Sequence, residues 1–199
     1  MILLGSNAEH IFWIGRYLTR VQYLCGQFPF VDDESAIQFA RSFGIPAYNA
    51  TSLNEFIMDS RQSVSFQQQF NVIKSNIQDL RGLLSKDNCA VLNQHIKHAS
   101  LQFTHICGVV ELCHEVFQKE SEDIYLFYRL GVMLEHLDRD IRFGLNCANT
   151  LEDMQWIVNS LQIKGWQLDH VWKSLKHYPD QNHYLQFCDH VQYLFEVDV

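Results

Sequence analysis

The chain has 199 residues, 47% of them hydrophobic and 13% aromatic, with only three prolines and nine glycines. That length and apolar content suit one globular domain with a sizeable core and exclude a disordered chain. A net charge of −8, with no lysine/arginine run, argues against a nucleic-acid partner, because a phosphate backbone is held by a basic face.

A first helix, capped by Ser6 or Asn7, is predicted to run to about Cys25, where Gly26 and Pro29 end it. Asp32 and Asp33 open a short segment that stops at Gly44 and Pro46. Ser52 and Glu55 fit a capping box before Phe56, Ile57 and Met58. Residues 29–62 are the least regular part of the chain and read as a crossover or lid. From 63 to 84, Phe66, Phe70, Ile73, Ile77, Leu80 and Leu84 recur every three or four positions, which marks one helical face. Asp87 caps a following helix that is expected to carry Val91 through Phe117, and another runs from about 122 to 147. Thr150 opens a long helix to roughly Tyr178, Pro179-Asp180 breaks it, and Tyr184, Phe187, Val191 and Leu194 mark the last. The expected fold is all-α, an antiparallel helical bundle forming a single domain over 1–199.

Residues 11–22 align without gaps with 127–138, an offset of 116 positions. Apolar residues coincide at Ile11/Phe127, Ile14/Leu130, Leu18/Leu134 and Val21/Leu137, and Gly15 coincides with Gly131. This is the pattern of an internally duplicated helix. A helical glycine costs about 1 kcal/mol relative to alanine, so two matched glycines imply compensation, by close helix packing or, as the alternative, by close backbone approach to a ligand. The charges are not matched. One copy carries Arg16 and Arg20, which the helical wheel turns away from the apolar stripe, solvated or open to an acidic group such as a peptide carboxylate. The other carries Glu135 and Asp138, four residues before Arg139 and Arg142 and able to pair with them. Asp138 lies nearest the stripe and is expected to be partly buried against Arg142. Arg16, Arg20, Glu135 and Asp138 are the candidate ligand- or partner-binding residues.

Trp13, Gly15, Arg16, Tyr17 and Arg20 stand where the N-terminal signature of the alpha-E domain family has its fixed residues, roughly W-x-G-R-Y-x-E-R. Residues 127–138 resemble the family's second signature, roughly F-x-x-L-G-R-x-L-E-R-A-D, and residues 73–81 a third, matching at Asn76, Leu80 and Arg81. Thr19, Val132 and His136 depart from it, where the signatures have a glutamate and two arginines. The resemblance implies an all-helical protein that brings no catalytic residue or cofactor. It also implies an accessory role beside a protein partner, ATP-grasp-like or transglutaminase-like, in a peptide-modifying system.

The competing chemistry is a carboxylate-bridged metal site. Glu111 and His114 form a Glu-x-x-His pair, but a di-iron bundle needs a second such pair and two further glutamates, and none is found. His95, His98 and His105 share one expected helix and read as solvated or singly satisfied. Trp156, Trp166 and Trp172 read as core or interface anchors. The six cysteines lack CxxC spacing and read as reduced, mostly buried thiols; Cys107 and Cys113 have no nucleophile context. Met1 to Ser6 offers neither a basic segment nor the apolar run of a secretory signal, and no stretch approaches the roughly 20 apolar residues of a membrane span. The expected setting is cytoplasmic, without cofactor, nucleic acid or membrane.

Overall fold

The computed structural model describes the backbone of residues 3–101 and 106–197, and their side chains except those of 99–101, 106 and 107. Every regular element among these residues is a helix: α1 (Gly5–Gln27), α2 (Asp33–Phe43), α3 (Ala50–Met58), α4 (Phe66–Asp79), α5 (Lys86–Leu101), α6 (Ile106–Gln118), α7 (Glu122–Arg142), α8 (Ala148–Ile163), α9 (Asp169–His177) and α10 (Gln181–Glu196).

Short polar side chains start several of them. Asp32 accepts a hydrogen bond from Ser35 N, Ser65 from Gln68 N, and Asp180 from His183 N, each satisfying an amide that has no partner within its helix. The capping box of α3 lies three residues earlier than Ser52 suggests. Asn49 is the cap, and Ser52 returns the bond to Asn49 N. Ser85 rather than Asp87 caps α5, accepting from Asn88 N at 3.2 Å.

One long helix expected from the pattern is divided: residues 150–178 give α8 and α9. The break falls at Gly165, whose φ of 99° belongs to the left-handed region where a side chain is strained. The middle of the helix expected over 87–117 lies outside the described residues, with α5 before it and α6 after it. An apolar period can continue across a turn such as that at Gly165, so periodicity alone does not reveal it.

The core forms around α1, which packs most heavily on α7 and is also contacted by α4, α6 and α10. The eight matched apolar positions of 11–22 and 127–138 are all buried to within 2% exposure. Each such side chain contributes about 1.5–3 kcal/mol when removed from water. Antiparallel neighbours surround this centre. Asp140 meets Thr150 and Glu122 meets Lys164 at opposite ends of α7 and α8, while Phe12 meets Phe195 and Arg16 meets Tyr184 along α1 and α10. The central pair itself is parallel: Phe12 lies by Gly131, Arg20 by Glu135, and Tyr23 by Phe143.

The glycines set how closely α1 and α7 approach. A Cβ on Gly15 would meet the Tyr128 carbonyl and come within 3.1 Å of Val132 N. A Cβ on Gly131 would meet the Phe12 carbonyl and come within 3.1 Å of Arg16 N. Tyr128 and Val132 are the residues aligned with Phe12 and Arg16. Each glycine therefore packs against the residues that the 116-position alignment matches to the other's contacts, a reciprocal contact. Gly5 makes a third close approach, with its Cβ position on the Phe195 carbonyl. No sequence signal distinguished it.

Candidate functional site

Beside the glycines the parallel helices share a buried Arg–Glu–Arg clamp. Glu135 Oε1 accepts from Arg20 Nε at 2.6 Å, and Oε2 accepts from Arg20 Nη2 at 2.8 Å and Arg16 Nε at 3.0 Å. Arg16 also donates to the Tyr184 hydroxyl at 2.7 Å, drawing in α10. Trp13 and Tyr17 back the two guanidiniums, with ring centroids 5.5 Å and 5.2 Å away. The residues quoted as a signature thus act as a set. The glycine admits the facing helix, the arginines grip its carboxylate, and the aromatic rings hold the arginines in place.

This corrects the helical-wheel reading of Arg16 and Arg20. Arg16 is 8% exposed, and both arginines are committed to Glu135 rather than solvated. The reason is the central position of α1, whose flanks face other helices instead of water. Burial opposes the charge on Glu135, but the charges and hydrogen bonds of Arg20 and then Arg16 outweigh it and hold the carboxyl below its usual range. Burial likewise opposes the charge on Arg16, and Tyr184 and Glu135 outweigh it, so its pKa is raised.

The pairing expected within α7 is half realised. Arg142 Nε donates to Asp138 Oδ2 at 2.9 Å, the expected i,i+4 pair, and Arg142 Nη1 reaches Ser42 O near the end of α2 at 2.8 Å. Glu135 ignores Arg139, which instead bonds Asp140 at 2.8 Å. Asp140 accepts from Thr150 on α8 at 2.7 Å. Four arginines thus face three carboxylates, leaving one excess positive charge. Its distribution is uneven. The side chains of Arg20, Arg139 and Arg142 are 31–34% exposed, and those of Glu135, Asp138 and Asp140 only 4–7%.

These arginines open onto a cleft of about 570 Å³ near the C-terminal halves of α1 and α7, a size suited to a small organic ligand. Tyr17 and Tyr23 of α1, Phe39 and Phe43 of α2, and Ile57 of α3 supply apolar wall, so the irregular 29–62 region forms one side. Arg139 lies over Tyr23 at 5.2 Å and Arg142 over Phe43 at 5.4 Å. Two buried residues of the lining each keep an oxygen without a hydrogen-bond partner, Gln69 Oε1 and Asp138 Oδ1. Gln69 Nε2 donates to Val64 O at 2.8 Å, which fixes its amide with the oxygen left over. His136 also lines the cleft; burial, then the Arg139 charge, lowers its pKa and favours the neutral ring.

The cleft gathers Arg20, Glu135 and Asp138 of the four expected binding residues, while Arg16 stands behind them in the clamp. Gln69 and the aromatic walls were not singled out, because they come from elements that no local spacing connects; His136 and Arg139 share α7 with Glu135 and Asp138 but read from the sequence only as a signature departure and an ion-pair partner.

The metal alternative gathers no further ligand. Glu111 is exposed, His114 Nε2 lies 2.8 Å from Gln118 Nε2, and no group of three potential ligands converges among the described residues. Burial pushes the Cys113 thiol up to about 12. His98 is exposed and His95 half-buried; His105 and the side chain of Cys107 lie outside the described residues. Trp172 is buried and Trp166 packs on Phe127, but Trp156 is 52% exposed and no core residue. Asn76 of the third signature joins α4 to α1, its Oδ1 2.8 Å from His10 Nδ1.

Fold and site together define an all-helical protein with an arginine-rimmed, aromatic-walled cleft. No helix among the described residues is long and apolar enough to cross a membrane. No protein-family model, curated protein or solved structure matches the chain.

Proposed function

We propose that this chain is a noncatalytic accessory module of the alpha-E type, working in the cytoplasm with an ATP-grasp-like or transglutaminase-like partner in a peptide-modifying system. Its working element is the cleft beside the signature helices. The observation that carries this reading is the arrangement of Arg16, Arg20 and Glu135, which the signature residues Trp13, Gly15 and Tyr17 hold in place. Locked charges favour recognition over proton transfer. Glu135 is held ionised by two arginines, and burial keeps the Tyr184 and Cys188 hydrogens on; a general acid or base instead needs a pKa near the working pH.

Purification of the native protein without an affinity tag, followed by native mass spectrometry, tests this reading. A co-purifying ligase-like or transglutaminase-like protein is expected. Stoichiometric iron, manganese or zinc on an otherwise solitary chain would overturn it in favour of a metal-dependent enzyme.

A further inference from the structure

The clamp has an empty counterpart. The 116-position register that matches Gly15 with Gly131 also matches Arg20 with His136, Glu135 with Thr19, and Arg16 with Val132. The reciprocal of the Arg20–Glu135 contact would therefore join positions 136 and 19. Thr19 has no carboxylate to offer and donates its hydroxyl to Gly15 O of its own helix at 2.8 Å. Both Thr19 and His136 line the cleft. Both halves border the cleft, one carrying a salt bridge and the other no ion pair among the described residues.

We propose that this space binds an α-amino-acid unit: a carboxylate, a neighbouring N–H donor and a large apolar side chain. The inference rests on the accessory reading above and names the chemistry its cleft would recognise. The carboxylate is met at the rim. Arg139 spends Nε and Nη2 on Asp140, and Arg142 spends Nε and Nη1 on Asp138 and Ser42, leaving Arg139 Nη1 and Arg142 Nη2 without an acceptor among the described residues. Planar guanidiniums already oriented by a carboxylate behind and a ring beneath lose little freedom on binding an anion. The N–H is met deeper. Gln69 Oε1 and Asp138 Oδ1 are both acceptors, both buried and both unpartnered. Such atoms carry a desolvation cost that a ligand donor removes. The side chain lies against Phe39, Phe43 and Ile57.

A free amino acid and the C-terminal residue of a peptide share this chemistry, and four probes separate them. Calorimetric titration of the full chain with L-phenylalanine, N-acetyl-L-phenylalanine, 3-phenylpropionate and phenethylamine is the experiment. At least one of the first two is expected to bind, with 3-phenylpropionate (no N–H) and phenethylamine (no carboxylate) weaker by about tenfold or more. Preference for the free amino acid identifies a metabolite site, and preference for the acetylated form a peptide end. Gln69→Met is expected to weaken the amino-acid probe about tenfold while leaving 3-phenylpropionate unchanged. Thr19→Gln, which extends a side chain into the cleft, should weaken every probe. Circular dichroism melting of each variant separates lost binding from lost fold. Comparable binding of 3-phenylpropionate and the amino acids, or no binding of either amino acid at low millimolar concentration, overturns the proposal. Either result leaves the partner reading standing, because that depends on co-purification and not on these ligands.

Discussion

Gly15 and Gly131 each lack a Cβ where the other's helix passes: the Tyr128 carbonyl occupies the place for one, the Phe12 carbonyl the place for the other. Backbone cannot move aside as a flexible side chain can. The close approach of α1 and α7 therefore depends on two hydrogen atoms, and the clamp depends on that approach. Gly15→Ala and Gly131→Ala are each expected to lose about 1–3 kcal/mol of stability from overpacking, despite the helix propensity alanine adds. Gly26, also in α1, has nothing within 4 Å of its Cβ position, so Gly26→Ala should gain about 0.5–1 kcal/mol. Urea denaturation of the three variants would show the opposite signs.

Arg16→Ala is expected to destabilise the fold rather than only weaken binding. Glu135 is 5% exposed, and the substitution removes both an Nε bond to it and the bond to Tyr184. Breaking one partner of a buried ion pair costs about 3–5 kcal/mol. Arg20 is more exposed, so Arg20→Ala should cost less. The order of the two variants in chemical denaturation at neutral pH checks this. Equal, small losses would mean that water replaces the arginines freely.

The same clamp sets part of the acid response. The folded-state pKa of Glu135 lies below its ordinary value of 4.5 because the two arginines outweigh burial. The unfolded chain therefore takes up this proton first. The contribution is fully present above the ordinary glutamate range and is lost as the pH falls through the folded value. Glu135→Gln should be less stable than the parent at pH 7, with the gap closing only below about pH 4.5. A gap that does not change with acid would remove Glu135 ionisation as its cause.

His136 acts in a milder range. Burial, then Arg139, lowers its pKa from 6.5, and Arg129 acts in the same sense, against Asp140 and Glu135. The unfolded state again binds the proton more readily, so this contribution is present above about pH 6.5 and declines as the pH falls below it. His136→Gln should flatten the dependence of stability on pH between about 7 and 5. Thermal melts of parent and variant across that window give the comparison.

What the sequence discloses follows the reach of each interaction. The apolar stripes, the glycine pair and the Asp138–Arg142 bridge depend on spacings of three to five residues or on a repeat, and all appear where expected. The partners of Arg16 and Arg20 were not legible, because Glu135 lies 119 and 115 residues away. A wheel also treats the side opposite the stripe as water, and for a helix enclosed by four others it is not. The cleft was hidden for a related reason. Gln69 belongs to α4, Phe43 to α2 and Ile57 to α3, and only tertiary packing brings them beside Asp138.

Unlike charges in like helices give the last prediction. If α1 and α7 are two copies of one element, the Arg20–Glu135 contact has a geometric equivalent at His136 and Thr19, both at the cleft. Reciprocal packing of the glycines places these positions in the same relation as their charged counterparts. Thr19→Glu combined with His136→Arg should then form a second cross-helix bridge. Each substitution alone introduces an unpaired charge among buried neighbours and is expected to destabilise. Together they should recover a favourable coupling of about 0.5–3 kcal/mol in a double-mutant cycle. A coupling near zero would show that the two helices, although aligned in sequence and matched at their glycines, are not equivalent one turn further along.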